Sequence, residues 1–180
     1  EPGDIKVQDV DGNGVITTDD RIIYSQRPDV TFGFNNTFNY KGFDLSVFLY
    51  ARLGQWIAYD YNTTYRINAL ENGGNVDYWT PENPTNAFPR PNKSKSYTQV
   101  TYYSTLKYED GSFFKIRDIT LGYTFKPELL KHLNLSKLRV YATAKNFFTF
   151  SKIDNYDPEQ GGSISFPMTK QLVFGLNVEF

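Results

Sequence analysis

The chain has 180 residues, no cysteine, a formal net charge of -1, and 17% aromatic residues. Its Lys and Arg residues are scattered, so it has no basic stripe for a phosphate backbone and nucleic acid is not an expected partner; the lack of cysteine excludes a disulfide framework. No apolar run reaches the roughly 20 residues of a membrane helix. The many Phe and Tyr residues favour β-strands, so the chain is expected either to be a soluble β-protein or to cross a membrane as strands.

The first motif, from Asp9 to Asp20, has the residue spacing of a calcium-binding loop. Oxygen-bearing side chains recur at alternate positions and Gly14 allows a sharp turn, as a cation that takes about six oxygen ligands requires. The predicted Ca2+ ligands are Asp9, Asp11, Asn13, the Val15 carbonyl, Thr17 and Asp20. The closing residue is Asp where such loops carry Glu, and no clear amphipathic helix precedes the motif. A turn held by its own Asp and Asn side chains is the alternative, and both interpretations stay open here.

Two segments with alternating residue character follow. In residues 29–40 aromatic residues share one face and small polar residues the other, and residues 43–57 continue the alternation. This period of two predicts a pair of β-strands. The Lys41-Gly42 pair between them predicts a tight hairpin turn.

A Gly-, Asn- and Pro-rich stretch occupies residues 72–97, and its prolines exclude a helix. Aromatic side chains on a rigid loop are suited to stacking on a sugar or contacting a protein partner. The candidate partner or substrate residues are Tyr78, Trp79, Phe88 and Arg90. The simpler alternative is that the aromatic side chains form a small core of the loop itself.

Three more alternating segments complete the chain. The predicted strands are residues 112–125, 137–152 and 168–180. In the last strand Leu172, Phe174, Leu176 and Val178 share a face that is predicted to contact lipid. Five strands cannot close a barrel, and open edges in hydrocarbon leave backbone groups unpaired, so further strands are expected outside this chain. In the rival fold, a soluble β-sandwich, a second sheet covers the apolar faces.

The connections between the predicted strands are unequal in length. Residues 41–42 and 126–136 are short connections, whereas residues 59–111 and 154–167 are long. In an antiparallel arrangement the short connections fall at one end and the long ones at the other, as in barrels with short periplasmic turns and long extracellular loops. Pro127 additionally favours a short helical turn in its connection, since proline is tolerated at the first helical position.

Catalytic motifs are lacking in the sequence. His132 is the single histidine, without a recognisable partner pattern, and is expected to be a surface residue. Asp157 and Glu159 are close enough in sequence to suggest the acid/base pair of a glycosidase, but an acidic turn is the simpler interpretation. No nucleophile elbow, zinc spacing or phosphate-binding glycine loop occurs, so the protein is not expected to be an enzyme.

A series of short blocks has a specific order and spacing along the whole chain. They are Gly3-Asp4-Ile5-Lys6, Asp11-Gly12-Asn13-Gly14, Gly33-Phe34-Asn35, Tyr40-Lys41-Gly42-Phe43-Asp44-Leu45, Trp79-Thr80-Pro81-Glu82-Asn83-Pro84, Asp110-Gly111-Ser112-Phe113, Leu121-Gly122-Tyr123, Ala144-Lys145-Asn146, Tyr156-Asp157-Pro158-Glu159 and the terminal Phe180. Together they resemble the closing region of the SusC/RagA family of TonB-linked outer-membrane proteins. The resemblance implies an all-β fold, namely the last five or so strands of an antiparallel transmembrane β-barrel of about 22 strands with a plugged lumen. Residues 1–28 would then be an extracellular loop and residues 29–180 barrel strands with long extracellular loops.

The resemblance also implies function and partners. Such proteins import oligosaccharides or peptides across the bacterial outer membrane with energy relayed by the TonB complex, which contacts an N-terminal part absent from this chain. A SusD-like surface lipoprotein would cap the barrel, and membrane lipid would contact the apolar face. The barrel-assembly machinery would read the terminal strand through Phe174, Leu176, Val178 and Phe180. The alternative function is a secreted, soluble, calcium-dependent carbohydrate-binding β-sandwich.

Overall fold

The computed structural model describes residues 1–63, 74–92 and 105–180. The strands in these ranges are β1 (Val30–Tyr40), β2 (Phe43–Leu53), β3 (Trp56–Ala58), β4 (Tyr108–Asp110), β5 (Phe113–Thr124), β6 (Lys137–Ser151) and β7 (Gln171–Glu179). The helices are α1 (Asp60–Thr63) and α2 (Pro127–Leu130), and 3-10 turns lie at Thr18–Asp20, Thr105–Lys107, Lys131–Leu133 and Pro158–Gln160. No helix in the described ranges is long and apolar enough to span a membrane.

The chain divides into two compact units. The sheet unit contains residues 28–55, 111–159 and 167–180, and the loop unit contains residues 1–27, 56–110 and 160–166. The sheet unit holds a five-stranded sheet in the order β1-β2-β5-β6-β7, in which every neighbouring pair is antiparallel. The five predicted long strands and their antiparallel arrangement are therefore confirmed.

The turns of the sheet follow from local sequence. Lys41 and Gly42 both have positive φ, 47° and 89°, which is the backbone of a type I′ turn whose twist matches that of the flanking strands. The connection between β5 and β6 contains α2, with Pro127 in the first helical turn as predicted. Both connections lie at one end of the sheet, and the segment between β6 and β7 lies at the opposite end.

One face of the sheet is apolar across all strands. Leu45 pairs with Leu121, Leu121 with Ala142 and Ala142 with Phe174, so these side chains form a row on the same side of the pleat. The Phe174 residue is 76% exposed and Leu176 is 68% exposed. Side chains with so much free surface have no second protein layer over them in the described part of the chain, as predicted for a face that contacts lipid.

The buried core is small. Among the described residues, the buried hydrophobic side chains are Ala51, Ile57, Tyr59, Phe113, Leu130 and Ile153. A water-soluble domain of this length buries well over half of the surface of its unfolded chain. The sparse core and the uncovered apolar face argue against the soluble sandwich and favour a sheet that lies in a larger barrel.

One predicted strand extended too far. The alternation suggested a strand through residue 57, but β2 ends at Leu53. Gly54 has a φ of 79°, a left-handed conformation that interrupts a strand, and a Cβ there would collide with the Asp29 carboxylate. Trp56 belongs instead to β3, which pairs with β4 in the two-stranded sheet of the loop unit.

Candidate functional site

A charged cluster lies on the polar face of the sheet, at the end opposite the hairpin turn. Lys115 of β5 is 0% exposed. Its Nζ lies 2.8 and 2.7 Å from the two carboxylate oxygens of Asp157 and 2.8 Å from Oε2 of Glu159. A buried ammonium is stable only when it is paired and hydrogen-bonded, and here both conditions are met by the segment between β6 and β7.

That acidic segment is held at several points. Pro158 between the two carboxylates is buried, and the Glu159 backbone N–H donates to Oδ1 of Asp157 at 3.0 Å. Arg117 donates to the second carboxylate oxygen of Glu159 at 3.0 Å. Arg117 lies where the register shifts between β5 and β6, and this bulge allows it to follow Lys115 on the polar face. The Asp157-Pro158-Glu159 turn is therefore an anchor for the connection.

The sequence did identify Asp157 and Glu159 as an acidic turn, but not the basic residues that bind it. The structure gives them an ion network with Lys115 and Arg117. The sequence feature that could have indicated these basic partners is the spacing of Lys115 and Arg117, two positions apart in a predicted strand. Lys115 lies 42 residues from Asp157 and 44 from Glu159 along the chain.

An arginine pair surrounds one tyrosine ring beside this anchor. Arg52 donates from Nε to the Tyr50 hydroxyl at 2.8 Å, and its guanidinium lies 5.6 Å from the Tyr50 ring centroid. The Arg117 guanidinium lies 5.5 Å from the same centroid. The rings of Phe48 and Phe113 are 6.4 and 5.8 Å from that of Tyr50. These contacts combine cation–π attraction with a hydrogen bond, so both guanidinium groups are held in place.

A polar cavity adjoins the anchor. It has a volume of about 290 Å³, and Asp157 is one of its lining residues. Its lining residues are Asn146, Thr149, Ser151, Ile153, Asp154, Asn155, Tyr156, Asp157, Pro167, Met168 and Lys170. Hydroxyl, amide and charged groups predominate, which suits hydrogen bonding to a polar ligand.

A second charged cluster lies towards the hairpin end of the polar face. Arg139 donates to both carboxylate oxygens of Asp44, at 2.8 and 2.5 Å, and its guanidinium lies 4.9 Å from the Tyr141 ring centroid. The cluster has room because Gly122 and Gly175 lack side chains. A Cβ at Gly122 would collide with the ion pair, and one at Gly175 would collide with the Tyr141 ring.

The predicted calcium loop is closed by its own hydrogen bonds. Asp9 accepts the backbone N–H groups of Gly12 and Gly14, each at 2.7 Å. Asp20 accepts those of Val10 and Thr17, each at 2.7 Å. The two backbone N–H donors of Thr17 and Val10 are the main reason that the pKa of the Asp20 carboxyl lies below its ordinary value. The alternative of a self-bonded turn thus describes the loop well.

The same loop also brings acidic groups together. Carboxylate oxygens of Asp9, Asp11 and Asp20 all lie within 4.8 Å of one another. The Asn13 side-chain oxygen accepts the Val15 N–H at 2.8 Å, and the Thr17 hydroxyl accepts the Asp19 N–H at 3.2 Å. A carboxylate oxygen that accepts one N–H retains further lone pairs, so these bonds leave three converging acids able to face a cation.

The residues predicted to contact a partner lie together in the loop unit. Tyr78 and Phe88 pair across a parallel bridge, and the backbone N–H of Trp79 donates to the Phe88 carbonyl at 3.0 Å. Trp79 packs on Gly3, where a Cβ would collide with the indole ring. Arg90 forms ion pairs with Glu1 and Asp4. Arg90 thus already has carboxylate partners within the loop unit, whereas Tyr78 is 42% exposed.

The remaining predicted residues lie on exposed surface. Phe174, Leu176 and Val178 project from the apolar face of β7, and Phe180 follows the strand with its side chain exposed. His132 lies in the 3-10 turn Lys131–Leu133 and is exposed. The turn contains no acid beside it, which agrees with the prediction of a surface histidine.

Relatives of the chain are known by sequence and by structure. It is 31% identical to the TonB-dependent receptor P3 of Formosa agariphila over 203 residues, covering 100% of this chain and 19% of that protein. It is 31% identical to the TonB-dependent receptor SusC of Bacteroides thetaiotaomicron, covering 96% of this chain and 17% of that protein. The chain therefore spans about a fifth of the length of the curated relatives it matches. No protein-family model matches it.

Solved structures of a peptide importer are also similar to this chain. The RagAB peptide importer in its closed-closed state is similar over 97% of this chain and 20% of the other chain, with a TM-score of 0.73 and 27% identity. A structure of the RagAB peptide transporter is similar over 89% of this chain and 18% of the other, with a TM-score of 0.71 and 27% identity.

Proposed function

Since the chain belongs to the SusC/RagA family of TonB-dependent receptors, we propose that it forms strands of an outer-membrane importer for oligosaccharides or peptides. The observation that supports this function is the contrast between the two faces of the sheet. One face exposes apolar residues such as Phe174, which suits lipid, and the other carries the charged clusters and a polar cavity, which suit a water-filled lumen. Energy would come from the TonB complex through a part of the protein outside this chain.

The experiment uses the full-length protein in a bacterium that lacks the chromosomal copy. The protein should fractionate with the outer membrane, show heat-modifiable gel mobility and restore TonB-dependent growth on an oligosaccharide or peptide nutrient. Recovery of the protein in the soluble fraction without detergent would contradict the proposal and return the calcium-dependent carbohydrate-binding sandwich to consideration.

A SusD-like surface lipoprotein is the proposed partner of the loop that carries Tyr78 and Trp79. Its internal hydrogen bonds, including those that Asp77 accepts from Thr85 at 2.6 Å and Asn83 at 2.7 Å, hold it in shape, so little entropy would be lost on binding. Shortening residues 77–91 should reduce co-purification of the lipoprotein or nutrient uptake and leave gel mobility unchanged. Wild-type recovery of the lipoprotein together with wild-type uptake would show that the loop only covers the barrel mouth and does not contact the partner.

We further propose that the loop from Asp9 to Asp20 binds Ca2+, because three carboxylates converge there. Calorimetry on the full-length protein should show calcium binding that Asp9→Asn abolishes. Asp19→Asn is the matched control, because Asp19 lies in the same loop but outside the converging group. Absence of a calcium heat in the wild type would leave the self-bonded turn as the correct description.

The apolar end of the chain is the proposed signal for the barrel-assembly machinery. Phe174, Leu176, Val178 and Phe180 give it an exposed aromatic and aliphatic edge. Phe180→Ser should lower the amount of protein in the outer membrane. Phe166→Ser should not, because Phe166 is another exposed phenylalanine, 80% against 94% for Phe180, and lies outside the strands. Equal effects of the two substitutions would refute this assignment.

A further inference from the structure

The basic side chains on the polar face of the sheet are neutralised pair by pair, with one exception. Lys115 and Arg117 are bound by Asp157 and Glu159. Arg139, Lys137 and Lys145 are each bound by one carboxylate, from Asp44, Glu179 and Asp118 respectively. Arg52 forms no ion pair within the described residues. The Arg52 guanidinium is therefore a positive charge on this end of the face without a carboxylate partner among the described residues.

The Arg52 guanidinium is held in a fixed orientation. The bond from Nε of Arg52 to the Tyr50 hydroxyl, 2.8 Å long, leaves its two terminal nitrogens as donors. Those nitrogens form a planar fork that matches a carboxylate. Holding the guanidinium in advance removes part of the entropy cost of binding.

A second guanidinium strengthens the preference for an anion. Arg52 and Arg117 lie 5.6 and 5.5 Å from the centroid of the same Tyr50 ring, so two like charges share one aromatic platform. Glu159 compensates Arg117 but is already shared with Lys115. The Arg117 side chain is still 39% exposed, which leaves it able to face a solute. An incoming anion would relieve the repulsion between the two guanidinium groups.

From these observations we propose that Arg52, supported by Tyr50 and Arg117, is an anion subsite that binds a carboxylate of the imported substrate. Arg52 is the penultimate residue of β2, at the end of the sheet where the predicted topology places the extracellular mouth. A substrate would meet it on entry. The proposal rests on the proposed import function and deepens it, because it predicts that the nutrient is acidic. The carboxylate could be carried by a peptide or by a uronic-acid sugar.

The test measures binding of four probes to the full-length transporter purified with its lipoprotein. Tetra-aspartate and tetra-galacturonate carry the carboxylates, and tetra-alanine and maltotetraose are their neutral counterparts. One acidic probe should bind more tightly than its neutral counterpart, and which one does so identifies peptide or sugar as the source. A charge-assisted hydrogen bond contributes about 1.5 to 3 kcal/mol. Arg52→Gln should therefore weaken binding of that acidic probe about 10- to 100-fold. Arg52→Lys should have an intermediate effect because it keeps the charge without the fork.

Lys145→Gln is the matched control, since it removes a paired positive charge from the same face and should leave probe binding unchanged. Equal binding of acidic and neutral probes by the wild type would overturn the subsite. So would a variant Arg52→Gln that loses thermal stability but no affinity, because Arg52 would then pair with another segment of the transporter. These results are separable from the import function, which wild-type TonB-dependent growth tests on its own.

Discussion

Replacing Lys115 tests whether the buried ion network anchors the connection between β6 and β7. In Lys115→Met the chain length is kept but the ammonium is lost, which removes the three contacts of 2.7 to 2.8 Å to Asp157 and Glu159. These carboxylates are only 12% and 13% exposed, so water cannot fully replace the lysine while the segment stays docked. The least costly response is for the acidic turn to detach from β5.

The magnitude follows from the burial of all three groups. Removing one partner of a buried pair costs about 3 to 5 kcal/mol, because the other charge is left uncompensated. Arg117 still binds Glu159, which favours the lower end of that range. Since about 1.4 kcal/mol corresponds to a factor of ten, the detached population should rise on the order of 100-fold.

Hydrogen exchange on the full-length transporter measures this population. Peptides covering residues 152–159 should exchange on the order of 100-fold faster in Lys115→Met, while those of β1 and β2 stay unchanged. A triple variant that adds Asp157→Asn and Glu159→Gln should recover protection, because no uncompensated charge remains. Lys137→Met, in an exposed pair with Glu179, should have no effect. Protection within threefold of wild type in Lys115→Met would refute the anchor.

Other predictions address packing, lipid contact and pH. Gly175→Val should destabilise the barrel by about 1 to 3 kcal/mol in urea unfolding, because the new side chain would overlap the Tyr141 ring. Gly33→Ala should not destabilise it, because the nearest atom to a Cβ there is 3.7 Å away. Phe174→Arg should cost about 2 to 4 kcal/mol in the same assay because it faces lipid, and Val173→Arg on the opposite face should be tolerated. The lowered pKa of Asp20 makes the loop more stable above about pH 4, the value of an unfolded Asp. That contribution should be lost as the pH falls through the folded-state pKa, and equal exchange rates of the loop amides at pH 3 and pH 6, corrected for intrinsic exchange, would disprove it.

Features that depend on neighbouring residues were predictable from the sequence. The alternation in β1 and β7 assigned each residue to a face because side chains on a strand have a period of two. The Lys41-Gly42 pair fixed both the turn and the register, which pairs Tyr40 with Phe43. Once the register is set, the faces of adjacent strands must match.

Features that depend on distant residues were not predictable. The period of two places Lys115 and Arg139 on the polar face but says nothing about their partners, which lie 42 and 95 residues away in sequence. The end of β2 at Leu53 was also not predicted, because alternation of side chains does not reveal the left-handed backbone conformation of Gly54. Similarly, the ion pair between Arg90 and Glu1 spans 89 residues, so the sequence could not show that Arg90 is paired with a carboxylate.

The two ends of the polar face differ in a way that bears on where a substrate would bind. Near the hairpin, Asp44 and Arg139 neutralise each other, and Gly122 leaves space that the pair itself fills. Neither charge of this pair is left without a partner. At the other end Arg52 has no carboxylate partner in the part of the chain that the structure describes, and a cavity of about 290 Å³ adjoins Asp157 of the anchor. Because binding needs unsatisfied donors, we expect sequence changes at the Arg52 end of this sheet to alter which nutrient the proposed importer accepts.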